Sequence, residues 1–368
     1  MTTVSLEFAP LAQSSVTLIV GLQDASGAYP ASPTFSAYAG YSWFRDGAFI
    51  ADGVSSFGEV ESASRFFDWC TRIILDRESQ ISRIVDAARA GTPVADAEML
   101  ATRFTFAGHE GTDDWWDFQL DGYGTWVWAA VEHAKRHGVS TEPWQRAIEL
   151  TVDYLTVSWE RPCFDWWEEH AQHVHGSTLG CIAAGLRAAL DADILTGERQ
   201  DAAALALASI QSTLQTAGVH DGHLAKWIGS TEVDASLLSI VAPLGVLPAD
   251  SPIGLATIAA VDAQLAVDGG VHRYLADTFF GGGQWPLLSC FLGLAWNAAG
   301  DRERALELLR WAAATAAPDG SMPEQVGNHL LDPTYSQEWI DRWGTVAQPL
   351  LWTHAMFVRL AVELGVAR

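Results

Sequence analysis

The chain has 368 residues, enough for one large domain or two modest ones, and 49% of them are hydrophobic, so a sizeable core is within reach. Lys and Arg number 21 against 45 Asp and Glu, a net charge of −24, which repels nucleic acid and anionic membrane surfaces and favours neutral ligands. The segment Val16–Leu22 is too short to span a bilayer and lacks a cleavage signature, no other segment approaches ~18 unbroken apolar residues, and the chain reads as soluble and cytoplasmic.

Helical periodicity dominates from the first residues onward. Apolar spacing and end signals predict helices near 11–24, 46–57, 60–75, 78–90, 124–137, 142–158, 176–195, 199–217, 234–242, 252–266, 284–299, 301–317 and 346–364. Lys135-Arg136-His137-Gly138 is a C-terminal signal, and Asp301 is placed to cap the run that follows it. Pro349 is expected in the first turn of the last helix. Strand-like alternation is scarce and there is no Pro/Ser-rich linker, so residues 1–368 read as one domain.

The stretches 27–46, 104–126, 159–176, 220–234, 267–286 and 318–348 join these helices and concentrate Trp, Gly and acidic residues. Long connections of this kind are usually functional. Six of them at regular intervals suggest helix pairs closed into a ring, an inner layer on an outer one, with the loops crowning one mouth.

The most informative loop is Phe164-Asp165-Trp166-Trp167-Glu168-Glu169, which joins carboxylates to indoles. A sugar-cleaving site needs a carboxyl able to hold a proton near neutral pH beside a flat apolar surface for the pyranose ring. The chain holds 17 Trp, many beside polar residues: Trp43 with Arg45 and Asp46, Trp115 within an aspartate-rich run, Gln284-Trp285. In a helical turn the side chains of Glu168 and Glu169 would diverge by ~100°, so one is a candidate reacting group and the other a support. The plain alternative is a solvated acidic helix start. Glu324, in the turn-rich Pro318–Gln325 loop, is the second candidate, against an ordinary loop glutamate. Arg45 offers a donor fork and Asp46 an acceptor for sugar hydroxyls, or the two simply pin a helix N-terminus. Arg273 and Asp277, four apart, form an i,i+4 ion pair or line the cleft with Trp285.

The four cysteines, Cys70, Cys163, Cys181 and Cys290, have neither metal nor disulfide spacing and read as buried thiols. His170, His173 and His175 lack a convincing third ligand, so no metal is expected. Gly281-Gly282-Gly283 lacks the ending of a phosphate loop and reads as a turn. No cofactor is expected.

From about Tyr41 to Leu364 these motifs, in this order, resemble glycoside hydrolase family 15, the glucoamylase-type inverting α-glucosidases. Tyr41-Ser42-Trp43-Phe44-Arg45-Asp46 resembles the substrate-holding Trp-x-Arg-Asp element. Gln119-Leu120-Asp121-Gly122, with Trp115 before it, resembles Gln-x-Asp-Gly. Asp165-Trp166-Trp167-Glu168-Glu169 resembles the Asp-Leu-Trp-Glu-Glu element, whose first Glu is the general acid, pointing to Glu168. Arg273-Tyr274, Asp277 and Trp285 resemble the stretch that binds the non-reducing glucose. Met322-Pro323-Glu324-Gln325 resembles the element of the general base, pointing to Glu324. The resemblance implies an all-α (α/α)6 barrel and inverting, exo-acting release of β-glucose. Trp43, Arg45, Asp46, Trp115, Asp121, Trp167, Glu169, Arg273, Asp277 and Trp285 would hold the sugar. Trp166 stands where the family has Leu and is expected to add bulk near the leaving sugar. With no starch-binding module, short α-glucosides are expected, isomaltose ahead of maltose; a maltooligosaccharide glucoamylase or a trehalase is the alternative. A non-catalytic carbohydrate binder and a helical-ring metalloenzyme are the competing classes.

Overall fold

The computed structural model describes residues 7–368 apart from Trp116. Its architecture is set by six helices that carry almost no exposed surface: α2 (Phe44–Phe57), α5 (Asp121–His137), α7 (Gly176–Asp191), α9 (Leu238–Val241), α11 (Pro286–Ala298) and α14 (Leu351–Glu363). Each packs on the next, and α14 returns to α2, so the six close into a ring. Every residue of α2 is buried. Its charged residues, Arg45, Asp46 and Asp52, are ion-paired, and the rest is apolar or small, as a helix inside a protein requires.

The outer layer is α1 (Ala9–Leu22), α3 (Val60–Asp76), α6 (Gln145–Ser158), α8 (Gly197–Gln215), α10 (Pro252–Leu265) and α12 (Arg302–Ala314). Each covers one or two inner helices, and α12, for instance, buries Ala305, Leu308, Leu309 and Ala312 against α11 while its polar face meets solvent. The fold is an (α/α)6 barrel, as the six-loop pattern implies. Two further helices, α4 (Glu78–Arg89) and α13 (Ser336–Trp343), lie outside the ring.

The closest helix contact is α5 on α7. A Cβ built on Gly124 would lie 2.3 Å from the Cys181 carbonyl oxygen, and one on Gly185 would lie 2.5 Å from that of Gly124. Two backbones can approach this closely only without side chains between them.

The helix boundaries depart from the sequence expectation in three places. The helix expected over 176–195 stops at Asp191, because Asp193 adopts a left-handed φ of 53° that breaks it. The last helix begins at Leu351 rather than 346; Leu350 is extended (ψ 116°), so Pro349 precedes the first turn instead of occupying it. Helix α13 lies inside the segment read as loop; Trp339, Ile340 and Trp343 share one face of it, but eight residues are too short for that spacing to stand out from the turn-rich stretch around them. Asp301 does cap α12, its carboxylate accepting from the Arg304 N–H. The short strands form two-stranded pairs, of which β1 (Tyr41–Trp43) with β2 (Arg103–Thr105) matters most, because it feeds Trp43 into the site.

Candidate active site

All six inner helices point their N-termini to one mouth, and the loops preceding those N-termini supply the side chains there. Trp43, Arg45 and Asp46 open α2; Gln119 and Asp121 open α5; the 165–169 turn precedes α7; Asp234 precedes α9; Trp285 precedes α11; and Leu350 and Trp352 open α14. Between them lies a cavity of about 790 Å³ including its open mouth. Its lining includes Trp43, Arg45, Asp46, Trp115, Trp167, Glu168, Glu169, Arg273, Trp285 and Glu324, ten of the residues singled out in the sequence.

Asp121 and Asp277 are not in the lining. Each stands behind an arginine that is. Arg45 Nη1 donates to Asp121 Oδ2 at 3.0 Å and to Gln119 Oε1 at 2.8 Å, which fixes the guanidinium in the wall. Arg273 Nε donates to Asp277 Oδ2 at 2.7 Å, and its Nη2 bonds the other carboxylate oxygen. The pair is the bidentate fork that arginine makes best, built here across a turn rather than along a helix.

The segment 165–169 is a tight turn, not a helical one. The Asp165 carboxylate accepts the N–H groups of Trp167 (2.9 Å) and Glu169 (3.0 Å), closing it locally. Glu168 is held at φ 64°, a region that costs a non-glycine residue of order 1–3 kcal/mol. The two glutamates diverge, as adjacent positions must. Glu168 enters the cavity and accepts the Trp43 indole N–H at 2.7 Å. Glu169 turns toward Arg273 (3.7 Å) and accepts the Tyr274 hydroxyl.

Burial raises the Glu168 carboxyl to about 7, against the pull of Arg45 and of hydrogen bonds from Trp43 and Trp115. Glu324 is 1% exposed, and burial raises it to about 8 despite the Tyr38 hydrogen bond and Arg273. Tyr38 donates to its Oε1 at 2.9 Å, while Oε2 is buried without a protein partner among the described residues. The Trp285 indole N–H, also in the lining, has none either. Asp46 is lifted to about 6, chiefly by burial and against Arg45.

Sequence reasoning missed four parts of this arrangement. Tyr38 sits on a loop with no motif around it. Arg103, fully buried on β2, lies 4.0 Å from the Trp115 ring centroid and 3.8 Å from that of Tyr41, propping both. Lys226, 2% exposed, stands 3.1 Å from Asp234 and 3.7 Å from Asp165, and Asp234 accepts the Trp167 indole N–H at 2.9 Å. Trp352 forms part of the floor. None of these has a local pattern; each is defined by what the folded chain brings beside it.

Trp166 also lies in the floor, not beside the entrance. It is 2% exposed and packs on Phe49, Phe291 and Trp352. Asp165, Glu169 and His170 place ligand-type atoms within 4.8 Å of one another. The positive charge beside them is supplied by Lys226 and Arg273. Of the nearby histidines, His173 stacks on Trp227 at 4.3 Å, and burial lowers His175 to about 4.

A buried pair of proton-holding carboxyls, an arginine-braced polar wall and an indole floor define a glycoside hydrolase. Comparison with known proteins agrees. Residues 9–316 match the profile of glycosyl hydrolases family 15, and the chain belongs to that family. The matched span includes Glu168 and stops short of Glu324. The chain is 52% identical over 356 residues to an isomaltose glucohydrolase of Kribbella flavida, covering 96% of this chain and 92% of that one. A glycosidase solved in complex with glucose superposes with a TM-score of 0.96 at 50% identity, over 99% of this chain and 98% of that one. A glucoamylase from Saccharomycopsis fibuligera shares the fold, with a TM-score of 0.73 at 15% identity over 98% and 96%.

Proposed function

We propose that the protein is an inverting exo-α-glucosidase that removes β-glucose from the non-reducing end of short α-glucosides, isomaltose foremost. In this reading Glu168 is the general acid and Glu324 the general base. The observation that carries it is the shared cavity: two carboxyls, both raised toward neutrality by burial, on chain segments far apart, face one indole-lined space. Isomaltose is favoured by the 52% identical relative, which bears that substrate in its name.

The terminal glucose sits on the floor of Trp166 and Trp352, its hydroxyls met by Arg45, Asp46, Arg273 and the Trp285 N–H. Protonated Glu168 donates to the glycosidic oxygen as the bond to the anomeric carbon breaks. Ionised Glu324, with Oε1 held by Tyr38, uses Oε2 to take a proton from water attacking the opposite face. The leaving sugar departs as an alcohol, and the glucose carries the inverted anomeric centre. Glu169 lines the cavity and also braces Arg273 and Tyr274. The described chain works as one catalytic unit, with a small neutral sugar as partner and no metal or cofactor in the steps.

The test is hydrolysis of isomaltose, maltose, trehalose and longer glucans with the first-formed anomer followed by NMR. β-Glucose appearing first from isomaltose supports the reading. α-Glucose first would overturn the inverting mechanism, and a maltodextrin preferred to isomaltose would overturn the substrate.

A further inference from the structure

A second cavity, about 830 Å³ with its open space, lies beside the first. It is lined by Ser36, Ala37, Asp113, Asp114, Trp115, Arg342 and Trp343. Only Trp115 and Trp343 belong to both linings among the described residues. Their rings face each other at 6.4 Å and 28°, so the two indoles form the wall between the spaces. The two sides differ in support. Trp115 is braced from behind by the Arg103 guanidinium, itself tied to Asp113. Trp343 comes from α13, a helix without a single buried residue. That helix is held by its aromatic face: Trp343 meets Phe35 at 5.9 Å and Phe279 at 6.3 Å, Trp339 meets Phe279 at 5.0 Å, and the Trp339 N–H donates to the Thr278 carbonyl at 2.9 Å.

Trp115 and Trp43 also flank Glu168, the first through the bond that helps hold down its pKa and the second at 2.7 Å. The sugar leaving from Glu168 therefore lies toward the indole wall. We propose that the Trp115–Trp343 contact ends the substrate site after two sugar units, and that Trp343 is the residue that excludes longer α-glucans. The space behind it, with carboxylates, a guanidinium and an indole edge, has the chemistry to take a third glucosyl unit once the wall is removed. This rests on the α-glucosidase reading of the first cavity.

The experiment compares kcat/KM for isomaltose, isomaltotriose and isomaltotetraose in the unaltered protein and in Trp343→Ala. The unaltered protein should favour the disaccharide. Trp343→Ala should raise the trisaccharide-to-disaccharide ratio by about tenfold or more, the scale on which pocket shape discriminates. Ile340→Ala, on the same helix but outside both linings, should leave the ratio unchanged. Adding Ser36→Trp to Trp343→Ala refills the second cavity from within its own lining and should reverse the gain. If Trp343→Ala does not fold, Trp343→Leu carries the same test with a smaller opening. A ratio unaltered in a folded variant, or equal losses on all three sugars, overturns the proposal. So does an unaltered protein that cleaves isomaltotriose as well as isomaltose, which leaves the glucosidase reading intact. Absence of any isomaltose cleavage would instead strike at that reading.

Discussion

Trp43 and Glu168, 125 positions apart in the chain, are joined by an indole N–H to carboxylate bond of 2.7 Å. Trp43 in turn meets the Tyr38 ring at 5.5 Å, and Tyr38 donates to Glu324. The proposed acid and base are thus linked through two aromatic side chains from one stretch, 38–43, which ends in β1. Placement of that strand sets both carboxyls at once.

Trp43→Phe keeps the ring and removes the donor. The bond favours the charged form of Glu168, so its loss raises that pKa. A group that must be protonated to act is then protonated in a larger share of molecules above about pH 7, so kcat/KM between about pH 7 and 8 should rise relative to its value at acid pH. A profile of unchanged shape would detach Trp43 from the titration of Glu168.

Glu168→Gln should lower kcat by ~10²–10⁴-fold on isomaltose, the usual worth of a general acid. A substrate with a good leaving group, such as an aryl glucoside, should recover a larger share because it needs less protonation. Glu169→Gln should act mainly on KM, since its partners are Arg273 and Tyr274. Were Glu169→Gln the more damaging to kcat, the two glutamates would exchange roles.

The activity itself should peak in the neutral to mildly alkaline range. The base must be ionised, so activity rises with pH through the value of Glu324, about 8. The acid must be protonated, so activity falls as pH rises through the value of Glu168, about 7. The two limbs overlap, which gives a narrow bell whose limbs belong to the pair. A broad acidic plateau in kcat/KM would contradict these environments.

Glu324→Gln should stabilise the fold at high pH. The folded-state value of about 8 lies above the ordinary 4.5, so the native protein holds this proton more tightly than the unfolded chain does. Stability is therefore lost as pH rises from about 4.5 through about 8, because the buried carboxylate is then ionised in the fold. Glutamine escapes that loss. Thermal melts should show the variant above the unaltered protein at pH 9, with the gap closing below pH 4.5. No gap at pH 9 would refute the account.

Lys226→Met should destabilise by ~3–5 kcal/mol, since it strands Asp165 and Asp234 in a buried site without their cation. Urea unfolding measures this. Asp234→Asn in the same background should restore part of the loss. It also keeps an acceptor for the Trp167 N–H, so the cavity wall survives.

The order of helices, their outer polar faces and the six Trp-rich connections are legible in the chain because they depend on neighbours a few positions away. So are Glu168, Glu324, Arg45 and Arg273, which lie in motifs. Trp166, read as bulk near the leaving sugar, packs in the floor, because its direction depends on Phe49, Phe291 and Trp352 from other helices. Asp121 and Asp277 carry motif positions yet serve the arginines rather than the cavity. Helix α13 carries its aromatic face over only eight residues, and the Arg103 brace and the buried Lys226 leave no local mark at all.

The local chemistry of the reacting groups is therefore a property of the sequence: which carboxyls, which indoles and which turns. Their protonation is not. A glutamate at the start of a solvated helix and one beneath an indole have the same letters around them. Only closure of the ring, which removes water from Glu168 and Glu324 as it does from Asp165, raises their pKa values toward neutrality.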